Sequence, residues 1–172
     1  MHAARHITPA LVALFLTAFI VSATAQRRSP AHSADAFVGT WILNLEKSTY
    51  ENQPKPKSVL RTFDYERDGM ILVTAHTLSA TGTNSFTHYL FTLDGKEYEE
   101  MSRNESADRT PTFVSVTKGG DRMIKLVFKS GGRVTIQHEW TVSDDDKTLT
   151  MKRTATPAQG PRAYSVQIYD KQ

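Results

Sequence analysis

Arg153 and His138 are the residues of this 172-residue chain whose setting most invites chemistry. Arg153 lies in Leu149-x-Met151-x-Arg153-x-Ala155, where every second residue is otherwise apolar, so a strand of this phase carries a guanidinium among leucine and methionine. Four residues from the preceding turn, it stands about 13 Å into the strand, away from its rim. A buried guanidinium needs a partner: a ligand carboxylate or phosphate fits its forked geometry, and an internal carboxylate or backbone carbonyls would serve structurally. His138 alternates with Val134, Ile136, Trp140 and Val142. A turn at Asp144-Asp-Asp-Lys147 pairs Val142 with Leu149, Trp140 with Met151 and His138 with Arg153, which makes the last two neighbours on one face. In the final strand Arg162-Ala-Tyr164 adds a second guanidinium and a phenol. The expected ligand-binding set is therefore Arg153, His138, Trp140, Arg162 and Tyr164, facing a small hydrophobic or amphipathic molecule with an arginine free for an acid group. Catalysis would have to use Arg153, His138 and a tyrosine such as Tyr164 on a bound carbonyl compound.

Other constellations carry less. His76 and His88, the latter between Phe86 and Leu90, would form a three-histidine zinc or haem site if they met His138. The spacing has no i, i+2 pair and no accompanying carboxylate, so neither a metal nor a cofactor is expected. Ser115-Val-Thr-Lys118 has the spacing of serine acyl enzymes, but on a strand its serine and lysine fall on opposite faces. Asp144 to Asp146 lacks the glycine and distant glutamate of a calcium loop. Asn104-Glu-Ser106 is a glycosylation acceptor only in a eukaryotic secretory route.

The elements that must position these residues are strands. Alternating segments bounded by turn residues fall near 37–45, 58–67, 70–79, 85–93, 96–101, 112–117, 123–130, 133–143, 148–156 and 162–171, and no helical period of useful length appears. The first strand puts Phe37, Gly39, Trp41, Leu43 and Leu45 on one side, with Trp41 as a core keystone and Gly39 leaving room beside it. Residues 46–57, with Pro54 and Pro56, read as a long connection. Between the seventh and eighth strands, a three-residue loop Ser130-Gly131-Gly132 would keep apolar residues opposite apolar ones, pairing Phe128 with Val134 and Leu126 with Ile136. One-sided strands with short antiparallel connections bury a common face, and closing the sheet removes its edges. The expected fold is all-β: an antiparallel up-and-down meander barrel of about 8–10 strands, with a sandwich as the alternative.

Composition sets the compartment. Arg5, the apolar run from Ile7 to Ser22 and Ala23-Thr24-Ala25 read as a secretory signal over 1–25, followed by a polar, disordered leader over 26–34 and a barrel domain over 35–172. Cleavage leaves 147 residues, enough for one domain with its own core. The chain has no cysteine, which excludes disulfides, thiolate metal sites, thiol catalysis and a lipid-modified amino-terminal cysteine. Its net charge of +3 is dispersed, so no nucleic-acid partner is expected, and no stable membrane insertion follows from so short an apolar run. A periplasmic or secreted location is expected.

Phe37-x-Gly-Thr-Trp41-x-Leu-Asn-x-x-Lys47-Ser48, Pro54-x-Pro-Lys-Ser58, Asp94-Gly-Lys-x-Tyr98, Asp146-Lys-Thr-Leu-Thr150 and a terminal Ile168-Tyr-Asp-Lys171 together resemble the small exported lipocalin-like proteins of bacteria. That resemblance spans nearly all of the mature chain and implies a calycin-like barrel with an apolar lumen. Asp35-Ala-Phe-Val-Gly-Thr-Trp41 also resembles the opening of fatty-acid-binding proteins, whose last strand carries an Arg-x-Tyr carboxylate clamp. Arg162-Ala-Tyr164 has that order early in the last strand, whereas the closer positional match, Gln167-Ile-Tyr169, lacks the arginine. The leading expectation is an exported binding protein, and the alternative is a structural or interaction barrel of the envelope. A lumen of several hundred Å³ favours the first. A barrel filled by Phe37, Trp41, Phe63, Phe128 and Trp140 favours the second.

Overall fold

In a computed structural model that describes residues 34–103 and 110–172, alternation and turn punctuation produce ten strands. They are β1 (Gly39–Glu51), β2 (Ser58–Tyr65), β3 (Ile71–Leu78), β4 (Asn84–Phe91), β5 (Asp94–Arg103), β6 (Thr112–Gly120), β7 (Met123–Ser130), β8 (Arg133–Val142), β9 (Thr148–Ala155) and β10 (Ala163–Lys171). Each pairs antiparallel with its sequence neighbour, and β1 closes the sheet by pairing with both β2 and β10. That double pairing leaves no edge strand and rules out the sandwich. The expected signal and the Asn104 acceptor lie outside the described residues, as does the leader apart from Ala34. Ala34 is itself 3% exposed and packs with the core.

Two irregularities decide which side chains face inward. β1 does not end at Leu45, where the apolar alternation stops, but continues to Glu51, with a bulge against β10 between Asn44 and Thr49. Ser48 fastens the bulge: its hydroxyl donates to the Asn44 carbonyl at 2.6 Å and accepts the Ile168 N–H at 2.9 Å. The extra residues shift the inward phase from Trp41 and Leu43 to Ser48 and Tyr50. The β7–β8 hairpin corrects the expected three-residue loop. Gly131 (φ 55°) and Gly132 (φ 75°) form a two-residue turn with Ser130 opposite Arg133, as two successive positive φ angles allow. A bulge then shifts the register beyond Phe128, so that Phe128 faces Ile136 and Leu126 faces His138, and Val134 ends up exposed. The β8–β9 register is the one the turn chemistry predicts, with His138 opposite Arg153 and Trp140 opposite Met151.

The closed end is filled. Trp41 is fully buried, donates from Nε1 to the Phe37 carbonyl at 2.8 Å and lies under the Lys171 ammonium, 5.0 Å from its ring centroid. Gly39 has φ 128°, a backbone conformation that residues with a Cβ rarely adopt, so the backbone favours glycine; the nearest atom to a Cβ there, the Lys171 Cε at 2.9 Å, belongs to a flexible side-chain end that can move aside. Phe37 packs on Phe63 at 5.9 Å, and Phe63 meets Trp140 edge-on at 5.2 Å. Tyr65 donates to Asp35 at 2.7 Å, tying the short 3-10 turn of Asp35–Phe37 across this end.

Candidate functional site

Above this plug the barrel opens into a cavity of about 360 Å³, room for roughly a dozen waters. Large side chains fill only the closed end, and Phe128, expected among them, lines the cavity instead. Gln53, Pro54 and Pro56 of the β1–β2 connection and Ser79 and Ala80 of the β3–β4 turn line its mouth.

Arg61 is the residue the sequence reading missed. β2 alternates Val59, Arg61 and Phe63 inward, so the guanidinium enters the core by the same rule that buries its neighbours, and the residue is only 9% exposed. It packs on two rings, with its Cζ 5.2 Å from the Trp140 centroid and 5.8 Å from that of Tyr169. One terminal nitrogen donates to the Tyr89 hydroxyl at 3.4 Å, and the buried Nε has no partner. An alternation carrying one arginine between apolar residues was the available signal, the same one that marked Arg153.

His138 and Trp140 form a fixed pair on β8. Indole Nε1 can only donate, and it does so to His138 Nδ1 at 3.0 Å, so the proton of the neutral imidazole sits on Nε2. Nε2 is buried without a partner, and His138 lines the cavity. Burial first, then the charges of Arg61 and Arg153, hold its pKa well below the ordinary imidazole range. His138 is therefore a neutral donor here, with no free lone pair to act as a base. Arg153 beside it donates to Gln53 Oε1 at 2.7 Å, and Gln53 in turn donates to the Tyr164 carbonyl at 2.7 Å, so Arg153 also anchors the strap at the mouth.

Three further polar groups complete the wall. Tyr50, brought inward by the β1 bulge, has a buried hydroxyl without a partner, and burial pushes its pKa above the ordinary phenol value. Tyr169 donates to Gln167 at 2.6 Å. Glu100, directly opposite Tyr89 on β5, lines the cavity half-buried; burial raises its pKa and Arg61 partly offsets that. None of the ion pairs among the described residues involves Arg61, Arg153 or Glu100.

The remaining sequence candidates lie elsewhere. Arg162 precedes β10 and is exposed, and Tyr164 is 40% exposed on the outer face, because β10 turns Ala163, Ser165 and Tyr169 inward. Tyr164 is therefore not among the residues that line the cavity with Arg153 and His138. Outer placement also separates His76 and His88 from His138: His76 stacks on exposed Phe86 at 4.3 Å, and His88 shares that strand's outward phase. Among the described residues, no three His, Asp or Glu side chains are placed to hold a metal ion. Asp144 to Asp146 is a self-satisfied turn, with Asp145 accepting from Ser143 and the Lys147 N–H, and Asp146 from Arg122.

Ten meandering strands closed by β1, with one end plugged and the other open, decide the fold type. The fold is a calycin-type barrel. No family model matches the sequence, and no curated protein is significantly similar to it. Among solved structures, this barrel is similar to the fluorescent protein UnaG, with TM-score 0.53 and 15% identity over 81% of this chain and 99% of that one. It is equally similar to Rv2717c from M. tuberculosis, with TM-score 0.53 and 11% identity over 84% of this chain and 99% of that one. At such identities the likeness is one of fold.

Proposed function

We propose that this protein is an exported carrier that holds one small amphipathic molecule in its lumen, with an acid group seated among Arg61, His138 and Arg153. The observation that carries this reading is a 360 Å³ cavity lined by two guanidinium groups that lack an ion-pair partner. Buried charges without internal partners cost stability, and an anion from outside offsets that cost. Around it, Arg61 Nε, His138 Nε2 and Tyr50 Oη offer buried polar atoms that no protein group uses. Ala75, Phe128, Ile136 and Met151 supply apolar wall for the rest of the molecule.

Native mass spectrometry of protein purified from its own source tests both parts of the reading. The expected species begins at Gln26 and carries one small acidic molecule. In the apo protein, 1-anilinonaphthalene-8-sulfonate should bind once and saturably. A species retaining Met1 overturns export. Absence of a stoichiometric anilinonaphthalene site overturns the carrier.

A further inference from the structure

The lumen contains ionisable groups of both signs, and no direct ion pair joins them. Arg61 enters from β2 and Arg153 from β9, with the imidazole of His138 between β7 and Arg153 in the sheet register. Glu100 enters from β5, beside Tyr89, whose hydroxyl receives the Arg61 donor. The Glu100 carboxyl makes no hydrogen bond or ion pair with any described residue, although it lines the same cavity.

That arrangement discriminates between ligand classes. A simple alkyl acid seated against Arg61 brings its carboxylate within Coulomb range of Glu100, and like charges in a partly desolvated site repel strongly. Such a ligand satisfies the arginine and leaves the glutamate worse off than before. A molecule that also presents an ammonium or hydroxyl group toward β5 satisfies both, because a donor replaces the water that Glu100 loses. We infer that the ligand is amphoteric: its acid group lies on the Arg61, His138 and Arg153 side, and a cationic or hydroxyl donor on the same molecule is received by Glu100. Glu100 is then the residue that sets specificity, disfavouring acids that lack such a donor relative to acids that carry one. This inference rests on the carrier reading.

Calorimetric titration with two probes differing in one group provides the test. Phenylalanine carries the ammonium that 3-phenylpropionate lacks, and both fit a partly aromatic lumen. The wild-type chain should bind phenylalanine at least tenfold more tightly than 3-phenylpropionate. In Glu100→Gln that preference should fall below about threefold, chiefly because 3-phenylpropionate binds better once the repelling charge is gone. Glu100→Ala, which removes the side-chain acceptor as well, provides a second reading should the glutamine variant fold poorly. Equal binding of the two probes by wild type, or a preference that persists in both variants, overturns the inference. Failure of both probes while anilinonaphthalene sulfonate still binds overturns the inference alone; failure of all three overturns the carrier reading with it.

Discussion

Arg61→Met separates a ligand anchor from a structural ion, because the two roles predict opposite pairings of stability and affinity. In the structure Arg61 has no carboxylate within ion-pair distance among the described residues, so methionine breaks no direct ion pair, and half-buried Glu100 loses only the longer-range offset that Arg61 supplies. What is lost is packing of the guanidinium on Trp140 and Tyr169, worth about 0.5–2 kcal/mol each. A 3.4 Å hydrogen bond to Tyr89 goes as well, longer than the usual range and worth about 1 kcal/mol at most. What is gained is relief from holding an unpaired charge out of water, about 1–4 kcal/mol in replacements of buried ions by apolar residues. Methionine keeps the apolar stem and ends about where Nε stands, leaving the place of the guanidinium to the cavity. The terms oppose, so the net change in urea unfolding should stay within about 2 kcal/mol of zero. Affinity for anilinonaphthalene sulfonate should drop at least tenfold, about 1.4 kcal/mol. Paired equilibrium unfolding and fluorescence titration read both quantities. A loss of about 3–5 kcal/mol, the signature of breaking a buried pair, together with unchanged probe affinity would refute the reasoning and make Arg61 a structural group.

Trp41→Ala removes the fully buried indole that closes the base and its bond to the Phe37 carbonyl; it should cost about 3–5 kcal/mol and lower Tm by about 10 °C or more, and a calorimetric scan within a degree of wild type would refute the plug. His138 has a folded pKa well below its unfolded value near 6.5, so the unfolded chain binds the extra proton first and stability is lost as pH falls below about 6.5, by up to about 1.4 kcal/mol per pH unit. Unfolding of wild type and His138→Phe between pH 7.5 and 5.5 should therefore show the steeper acid loss in wild type, whereas parallel slopes would place a charged imidazole in the fold.

Local features of the barrel are legible in the sequence alone. Period-two alternation sets the strands and tells which side of β8 and β9 is apolar, and the turn at Asp144 to Lys147 fixes their register, which is enough to put His138 beside Arg153. Side-chain alternation ties each residue to its neighbours two positions away, which is information carried along one strand. Where a bulge inserts residues, that rule loses its phase: Tyr50 enters the lumen only because the β1 bulge shifts it, and the register of β7 against β8 slips for the same reason. Arg162 and Tyr164 show the converse, since the order Arg-x-Tyr fits a familiar clamp but the phase of β10 turns both outward. Which charges meet across the lumen is a tertiary outcome. Arg61 from β2, Glu100 from β5 and His138 from β8 are far apart in sequence, and closing β1 onto β10 brings them to one cavity. The tilt and stagger of a closed barrel determine which residues share a level in its interior, and those are properties of the whole sheet rather than of any strand.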